Sequence, residues 1–371
     1  MNITAIIAVA SALVYCVDLA KNKFQMHSFG AHGARLKQRT LTRSSLAKFF
    51  ANPNTPRGLV VMEACASAHY WSRWLMQRGY QTKLVPAQFV AKHRIGNKTD
   101  GNDADAIYAT HTDARVRAVP VKSIEQQDQC SWHRLRDRLV AERLRCTNQA
   151  RGLLAERGCV AAKGQKGFDE LMAGIHERED AEVTRPLLQM LELIGARIEQ
   201  IDQQLKCIQD ELTEQLHQSP VAQNLDSMLG VGVIIATAVV AETGGNVQRY
   251  ADSRQFAASM GITPKEDSSG EKRHLGAITK RGNAYLRTLL VQGAQSVVTA
   301  CQRRDDALCL MARRLLAQGK RRKVVVVAVA NRMARIMYAI IKHGERYRPE
   351  GKWAAKAAND STVSIQTAAA A

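Results

Sequence analysis

Eight apolar residues recur along the middle of the chain in alternating steps of four and three. They are Leu187, Leu191, Ile194, Ile198, Ile201, Leu205, Ile208 and Leu212. This spacing is the seam of a coiled coil, so the segment is predicted to form a long helix that buries one stripe against another helix. The spacing leaves two partners open: an intramolecular helical hairpin or a second copy of the chain.

The seam belongs to a region, from about 123 to 217, that reads as nearly continuous helix. Upstream of it, "SWHRLRDRLVAERLRCTNQARGLLAERG" carries seven arginines and ends on Gly158. A looser, glycine-containing joint is predicted over 158 to 168. The arginines suit phosphate contact through their planar guanidinium groups, and a solvated helical face is the alternative.

The charge balance favours phosphate contact. The 371 residues include 53 Lys and Arg against 34 Asp and Glu, which gives a formal net charge of +19. Nucleic acid is the usual partner of such an excess. The same role is expected for the later run "RRLLAQGKRRKVVVVAVANRMAR".

Cysteine usage and hydropathy predict a cytoplasmic protein without a membrane partner. The eight cysteines form no C-x-x-C pair and no zinc-finger spacing, so reduced thiols are expected. The apolar run near the N-terminus has no positive residue before it and is followed by Asp18, unlike a signal peptide. No other stretch is expected to reach transmembrane length.

Residues 13 to about 110 alternate between strand and helix patterns. "LVYCVDLA", "KFQMHSFG", "ARLKQRTLT", "GLVVMEA" and "TKLVP" read as strands. "SSLAKFFAN", with a serine N-cap, and "AHYWSRWLMQRG", closed by Gly79, read as helices. This order predicts an α/β domain with a mixed sheet.

Four acids of this region form a candidate metal site. Asp18 and Glu63 each end a predicted strand, and Asp100 and Asp103 stand three residues apart in "KTDGNDADAIYA". If that segment is helical, the latter two project from one face. Four carboxylates at one sheet edge repel each other, and two Mg²⁺ ions would relieve the repulsion and act on a phosphodiester.

Each acid also has a plainer interpretation. An acid at a strand end is often a turn residue, and it is the combination of four in this order that favours a shared site. Asp105, two residues after Asp103, is expected to point elsewhere and to be solvated.

The stretch "KEDSSGEKRHLGAITKRGNAYLR" joins a small hydroxyl to a glycine and much positive charge. A surface turn explains Ser268, Ser269 and Gly270, whereas a bound phosphate also explains the cations. Gly270 would let the backbone approach DNA closely. The candidate phosphate contacts are Lys265, Lys272, Arg273, Lys280, Arg281 and Arg287. "GVG" at 230–232 is either a further phosphate contact or an ordinary helix junction.

Taken together, "YCVDLAKNKF", "VVMEA", "NKTDGNDADAI" and "FAASMGITPKEDSSGEKRHLGAITKRGNAYLRTLLVQGA" resemble the DEDD-type insertion-sequence transposases. This family, the one-ten and eleven-eleven insertion-sequence group, is also called bridge-RNA-guided serine recombinases. The resemblance runs from about residue 13 to 348. The spacing of the last two acids favours the eleven-eleven branch.

The resemblance implies an N-terminal RNase H-like domain of the RuvC type. It implies that Asp18, Glu63, Asp100 and Asp103 bind Mg²⁺ and that Ser269, followed by Gly270, is the nucleophile. Lys272, Arg273, Lys280, Arg281 and Arg287 would contact nucleic acid. It further implies that the helical middle contacts a non-coding guide RNA and a partner subunit, in a dimer or tetramer on donor and target DNA.

The expected domains are a RuvC-like domain at 1–122, a helical coiled-coil domain at 123–217, a mostly α transposase domain at 218–348 and a disordered tail at 349–371. The function expected is Mg-dependent DNA strand cleavage and exchange through a phosphoserine intermediate. Two alternatives stay open. One is an RNase H-like junction nuclease that uses only the acids, and the other is a non-catalytic nucleic-acid-binding protein.

Overall fold

A computed structural model describes residues 13–96, 100–175, 182–269, 272 and 274–349, except for the side chains of Ala31 and Asp100. The chain divides into two compact units, Met1–Ile124 and Glu125–Ala371. The predicted division of the second unit into a coiled-coil domain and a transposase domain stays a prediction.

The first unit is organised around a five-stranded sheet. Its strands are β1 (Val14–Asp18), β2 (Lys23–Phe29), β3 (Arg35–Thr42), β4 (Leu59–Glu63) and β5 (Gln81–Val85). They lie in the order β3-β2-β1-β4-β5. The pairs β1–β2 and β2–β3 are antiparallel, whereas β1–β4 and β4–β5 are parallel. The predicted α/β domain with a mixed sheet is therefore confirmed.

Four helices of this unit are α1 (Arg43–Ala51), α2 (Ala68–Met76), α3 (Ala87–His93) and α4 (Asp100–Thr112). On one sheet face, Phe24 packs with Leu46 of α1 and Trp71 of α2. On the other, Cys16 of β1 packs with Ile107 of α4. Both faces are covered by helices, as apolar central strands require.

The predicted cap of α1, the first serine of "SSLAKFFAN" at position 44, is wrong by two positions. Thr42 is the N-cap, because its side-chain oxygen accepts a hydrogen bond from the backbone N–H of Ser45. Threonine fills this role as well as serine does, since its hydroxyl satisfies the same unpaired donor. Gly79 follows α2 with a φ of +78°, in agreement with the prediction that it closes the helix.

The described part of the second unit is mostly helical. Its helices are α5 (Ile124–Ala155), α6 (Gln165–Gly174), α7 (Arg185–Gln218), α8 (Pro220–Asp226), α9 (Val233–Thr243), α10 (Ser253–Ser259), α11 (Ala284–Ala300), α12 (Ala307–Ala317) and α13 (Arg322–His343). Strands β6 (Pro264–Glu266) and β7 (Leu275–Ile278) form an antiparallel hairpin between α10 and α11. The joint predicted over 158–168 already contains the first turn of α6.

The coiled-coil seam is buried within the chain. Leu187 and Leu191 of α7 pack with Ala150 and Leu154 of α5, and Ile201 packs further along with other α5 residues. Ion pairs of Arg143 with Asp202 and of Arg197 with Glu142 also join the two helices. Of the two partners left open by the sequence, the structure contains the intramolecular hairpin.

Helix α13 corrects the expectation that no further stretch reaches transmembrane length. Its 22 residues are apolar enough to span a membrane, but 67% of the apolar window is buried inside the second unit. Val329, Met333 and Met337 lie in the same core as residues of α11. Helix α13 is thus the central core helix of this unit, which explains why it is apolar on nearly all sides.

Candidate functional site

The two strand-end acids lie side by side. Strands β1 and β4 are parallel neighbours in which Val17 pairs with Met62, so the next residues, Asp18 and Glu63, end the two strands at the same edge. Both are half-buried. We call this pair and its surroundings the acid edge. The carboxyl ends of parallel strands are where such sheets usually carry their sites.

Both carboxylates affect the pKa of a neighbouring thiol, that of Cys65. Cys65 lies two residues beyond Glu63, and burial, together with the negative charges of Glu63 and Asp18, raises its thiol pKa to about 11. Its Sγ lies 3.9 Å from the backbone oxygen of Leu19, which follows Asp18. The two acids therefore generate a common negative potential at this edge.

The helical pair of acids begins α4, as predicted. Asp100 is its first residue and Asp103 follows one turn later. Asp103 is buried, and its carboxylate accepts a hydrogen bond from Nε of Arg94. Arg94 was not predicted from the sequence, since an arginine in the connection after α3 has no periodic signal.

Asp105 keeps part of the predicted solvent exposure, with 43% of its side chain accessible, but it is also paired. Its Oδ1 lies 2.8 Å from Nδ1 of the buried His27 on β2, and its Oδ2 accepts a hydrogen bond from Arg35 at 3.0 Å. Further along α4, Nζ of Lys83 on β5 lies 3.0 Å from Nδ1 of His111. Polar contacts thus attach α4 to the sheet from β2 to β5.

The four acids are of the ligand type that a divalent cation prefers, but their described side chains do not converge on one point. Carboxylate oxygens are the ligands that hard cations such as Mg²⁺ prefer. Among the described residues, no three acidic, histidine or cysteine side chains converge as a metal site. Asp18 and Glu63 offer an oxygen pair, whereas Asp103 is held by Arg94 and the Asp100 side chain lies outside the described residues.

The predicted nucleophile lies at the exposed end of the β6–β7 hairpin. Ser269 forms an isolated bridge with Lys272, whose backbone N–H donates to the backbone oxygen of Ser269 at 3.3 Å. The Ser268 hydroxyl is engaged within the hairpin: it donates to Glu266 at 3.1 Å and accepts from the His274 N–H at 3.2 Å. Gly270 and Arg273 lie outside the described residues.

A tight turn after β7 presents two of the predicted basic residues. Lys280 and Arg281 are exposed there, and the Asn283 side chain caps α11. Gly282 lies in the turn, and Gly261, which follows α10, lies against the backbone of Arg281 in the same turn. Both glycines have positive φ. A Cβ at Gly282 would lie 1.8 Å from the backbone oxygen of Ser259.

The other basic candidates differ in their surroundings. Lys272 is exposed on the hairpin. Arg287 is half-buried, and its Nη1 donates to the backbone oxygens of Met260 and Arg281 at 3.0 and 3.3 Å. Arg287 therefore stabilises the turn with part of its guanidinium group. Contact with nucleic acid stays a prediction for all six basic candidates, Lys265 and Arg273 included.

Packing accounts for the glycine at 230, whereas a Cβ at Gly232 would have no atom within 4 Å. Gly230 has a φ of +80°, and a Cβ there would lie 2.7 Å from the backbone oxygen of Gly293 on α11. Gly232 is the N-cap residue of α9. A helix junction explains both positions, and phosphate contact by this turn stays a prediction.

Comparison with known proteins now identifies the class. One family profile, described as a transposase of the DEDD IS110 type, matches residues 16–157. A second, described as "Transposase IS116/IS110/IS902 family", matches residues 222–309. The first contains the acids discussed here and the second contains Ser269.

Full-length relatives extend the match over most of the chain. A probable family 20 transposase of Pseudomonas aeruginosa is 37% identical over 334 residues, covering 90% of this chain and 98% of the relative. The transposase for insertion sequence element IS1111A of Coxiella burnetii is 34% identical and covers 90% of both. The transposase for IS1328 of Yersinia enterocolitica is 33% identical, over 88% of this chain and 96% of the relative.

The chain belongs to the IS110/IS116 family of DEDD insertion-sequence transposases. The predicted family, and with it transposition of an insertion sequence, is confirmed at this level. Transposases of this kind act on DNA, which agrees with the net charge of +19.

Proposed function

We propose that this transposase cuts and rejoins DNA through a covalent bond to Ser269, assisted by Mg²⁺ held at the acid edge. The observation that carries the proposal is the register of β1 and β4, which sets Asp18 and Glu63 side by side. The strand order β3-β2-β1-β4-β5, with two antiparallel pairings followed by two parallel ones, supports an RNase H-like domain of the RuvC type.

The acids would act as ligands. Asp18 and Glu63 would hold the cation, joined by Asp100 and by Asp103 once Asp103 exchanges Arg94 for the cation. When bound, Mg²⁺ supplies positive charge to a phosphodiester and favours loss of the hydroxyl proton. Arg94 would keep Asp103 neutralised until then, because an unpaired buried carboxylate is costly.

Ser269 would act as the nucleophile. Its Oγ would form a bond to phosphorus while the bond from phosphorus to one DNA oxygen breaks. The serine proton leaves, and the released DNA oxygen gains a proton as a free hydroxyl. Attack by another DNA hydroxyl reverses these bonds and joins a new strand, so the phosphodiester is conserved.

The choice of Ser269 over Ser268 rests on hydrogen bonding. The Ser268 hydroxyl is used twice inside the hairpin, by Glu266 and by the His274 N–H. Ser269 stands at the exposed end, beside Lys272. Lys280 and Arg281, on the turn after β7, would neutralise neighbouring phosphates.

A non-coding guide RNA and a homo-oligomer, a dimer or tetramer on donor and target DNA, complete the proposal. Helix α5 supports an RNA contact because its arginines divide into two groups. Arg143 and Arg151 form hydrogen bonds within the helical region. Arg143 donates to the carboxylate of Asp202, and Arg151 donates to the backbone oxygen of Gly164. Others are exposed: Arg134, Arg138 and Arg145.

The test compares Ser269→Ala with Ser268→Ala in the presence of donor DNA, target DNA and Mg²⁺. The proposal expects Ser269→Ala to lose strand exchange and any protein–DNA adduct detectable by mass spectrometry, whereas Ser268→Ala retains the adduct. Undiminished cleavage by Ser269→Ala supports a junction nuclease that uses only the acids. A cellular role untouched by Asp18→Ala and Asp103→Ala supports a non-catalytic DNA-binding protein.

A further inference from the structure

A groove with an aromatic floor and a basic rim lies in the first unit, apart from the four acids. Its main lining residues are Lys21, Asn22, Arg43, Tyr70, Trp71 and Trp74. No carboxylate is among the described residues that line it. We call it the aromatic groove.

The aromatic rings form a connected row on α2. Tyr70 and Trp71 meet edge to face at 5.5 Å, and Trp71 meets Trp74 at the same distance. The guanidinium of Arg78 stands 3.7 Å from the centre of the Trp74 ring and covers it. Trp71 is buried, so Tyr70, which is 49% exposed, is the ring that a ligand meets first.

Positively charged side chains also line the groove. The Arg43 guanidinium lies 5.5 Å from the Trp71 ring centre, and Lys21 is exposed in the turn between β1 and β2. Cations beside an accessible aromatic ring are the combination that binds single-stranded nucleic acid, with phosphates at the cations and bases on the rings. A neutral apolar ligand would not require the cations.

The groove adjoins the acid edge. Lys21 follows Asp18 by three residues, and α2 begins five residues after Glu63. The two connecting segments meet where Sγ of Cys65 lies 3.9 Å from the oxygen of Leu19. A strand with one phosphate at the acids therefore has its neighbouring nucleotides within reach of the groove.

We infer that the aromatic groove binds unpaired nucleotides, with a base stacked on Tyr70 and phosphates neutralised by Lys21 and Arg43. That the strand leads to the acid edge rests on the proposed function. The binding itself does not. Single-stranded DNA and single-stranded RNA share this chemistry, and the experiment separates them.

The experiment uses the full-length protein in EDTA and short oligonucleotides that carry 2-aminopurine, whose fluorescence falls when the base stacks. The wild-type protein is expected to quench it. Tyr70→Ala should weaken binding by about tenfold and abolish the quenching, because stacking on one ring is lost. Tyr70→Phe should keep both. Single-stranded DNA and single-stranded RNA oligonucleotides of the same sequence are compared. The comparison shows whether binding of DNA or of RNA depends more on Tyr70.

A salt titration gives a second readout that is independent of the tyrosine. Lys21→Ala should reduce the slope of log affinity against log salt by about 0.7, the value of one lost phosphate contact. The control is Lys37→Ala, at an exposed lysine of β3. Lys37 pairs with Ser28 of β2, whose partner on β1 is Tyr15 near the start of that strand, whereas Lys21 follows the end of β1. It should leave the slope unchanged.

Equal quenching by the wild type and Tyr70→Ala, or equal slopes for Lys21→Ala and Lys37→Ala, would overturn the inference. Ser269→Ala should quench like the wild type. If transposition survives Ser269→Ala while quenching still depends on Tyr70, the phosphoserine mechanism fails and the aromatic groove stands.

Discussion

The acid edge and the β6–β7 hairpin that carries Ser269, the serine hairpin, are built in opposite ways. Asp18 and Glu63 end two adjacent parallel strands of a sheet covered on both faces, and Asp103 is buried on a helix that packs against that sheet. Ser269 stands at the tip of a hairpin whose strands have three and four residues and are almost wholly exposed.

The difference shows where each site obtains its geometry. Carboxylates that share one cation must keep fixed separations, and a packed sheet holds strand ends in register. A nucleophile on an exposed hairpin is held by local contacts. Here these are the hydrogen bonds of Ser268 and the close backbone approach at Gly261 and Gly282, at the base of the hairpin. We therefore expect DNA or a partner subunit to complete the position of Ser269 in the proposed reaction.

The largest expected effect comes from the acids. Asp18→Asn and Glu63→Gln should each lower DNA cleavage and strand exchange by more than about 100-fold, because loss of an outer partner of a metal ligand alone costs about 10- to 100-fold. Excision of the element from a donor plasmid measures the effect. Thermal unfolding of the variants should resemble that of the wild type.

This result sharpens the comparison when Ser269→Ala is measured beside the acid variants. Equal losses for both regions indicate one composite reaction. Cleavage that needs the acids and not the serine would show that the hairpin is not part of the chemistry.

The second prediction concerns the base of the serine hairpin. Gly282→Ala should destabilise the second unit by more than about 3 kcal/mol, since its Cβ would overlap the Ser259 oxygen in a left-handed conformation. Gly319→Ala is the matched control. Gly319 also has positive φ but no atom within 4 Å of its added Cβ, so about 1–2 kcal/mol is expected. Urea unfolding measures both, and equal values would contradict the steric explanation.

The third prediction tests the attachment of α4 to the sheet. Asp105→Ala should cost about 1–3 kcal/mol, because Nδ1 of the buried His27 would lose its hydrogen-bond partner. Arg35→Gln removes the exposed partner of the same carboxylate and should cost less than about 1 kcal/mol. Chemical denaturation distinguishes them. A larger loss for Arg35→Gln would indicate that the exposed pair, and not His27, holds the helix.

The sequence predicted the acid edge better than its surroundings. Strand ends carry a local signal, so Asp18 and Glu63 followed from apolar runs that stop at an acid. Arg94 and His27 are paired with Asp103 and Asp105 through the tertiary fold, nine and 78 residues away along the chain. No periodic pattern reports such a contact.

The seam of α7 shows the same limit from another side. Its spacing predicted a buried stripe correctly, but a stripe does not name its partner. The ion pairs of Arg143 with Asp202 and of Arg197 with Glu142 join the two helices of the intramolecular hairpin. They could not be predicted before the partner helix was known. The aromatic groove was likewise hidden, because Lys21, Arg43 and Tyr70 come from three separate segments.

The smallest expected effect uses Cys65 to report on the acid edge without any measurement of activity. Burial and the charges of Glu63 and Asp18 raise the pKa of this thiol to about 11, so little thiolate forms at pH 8.5. Glu63→Gln removes one negative charge, which lowers the pKa and increases the thiolate. Alkylation of Cys65 by iodoacetamide, followed by peptide mass spectrometry, should therefore become several-fold faster.

Mg²⁺ should act on Cys65 in the same direction if the two acids bind it, because a cation cancels the charges that disfavour the thiolate. The exposed Cys207 of α7 serves as the internal control and should react at one rate throughout. An acceleration by Mg²⁺ that disappears in Asp18→Asn would place the cation at the acid edge. Identical Cys65 rates with and without Mg²⁺ would count against metal binding there, whatever the serine hairpin does.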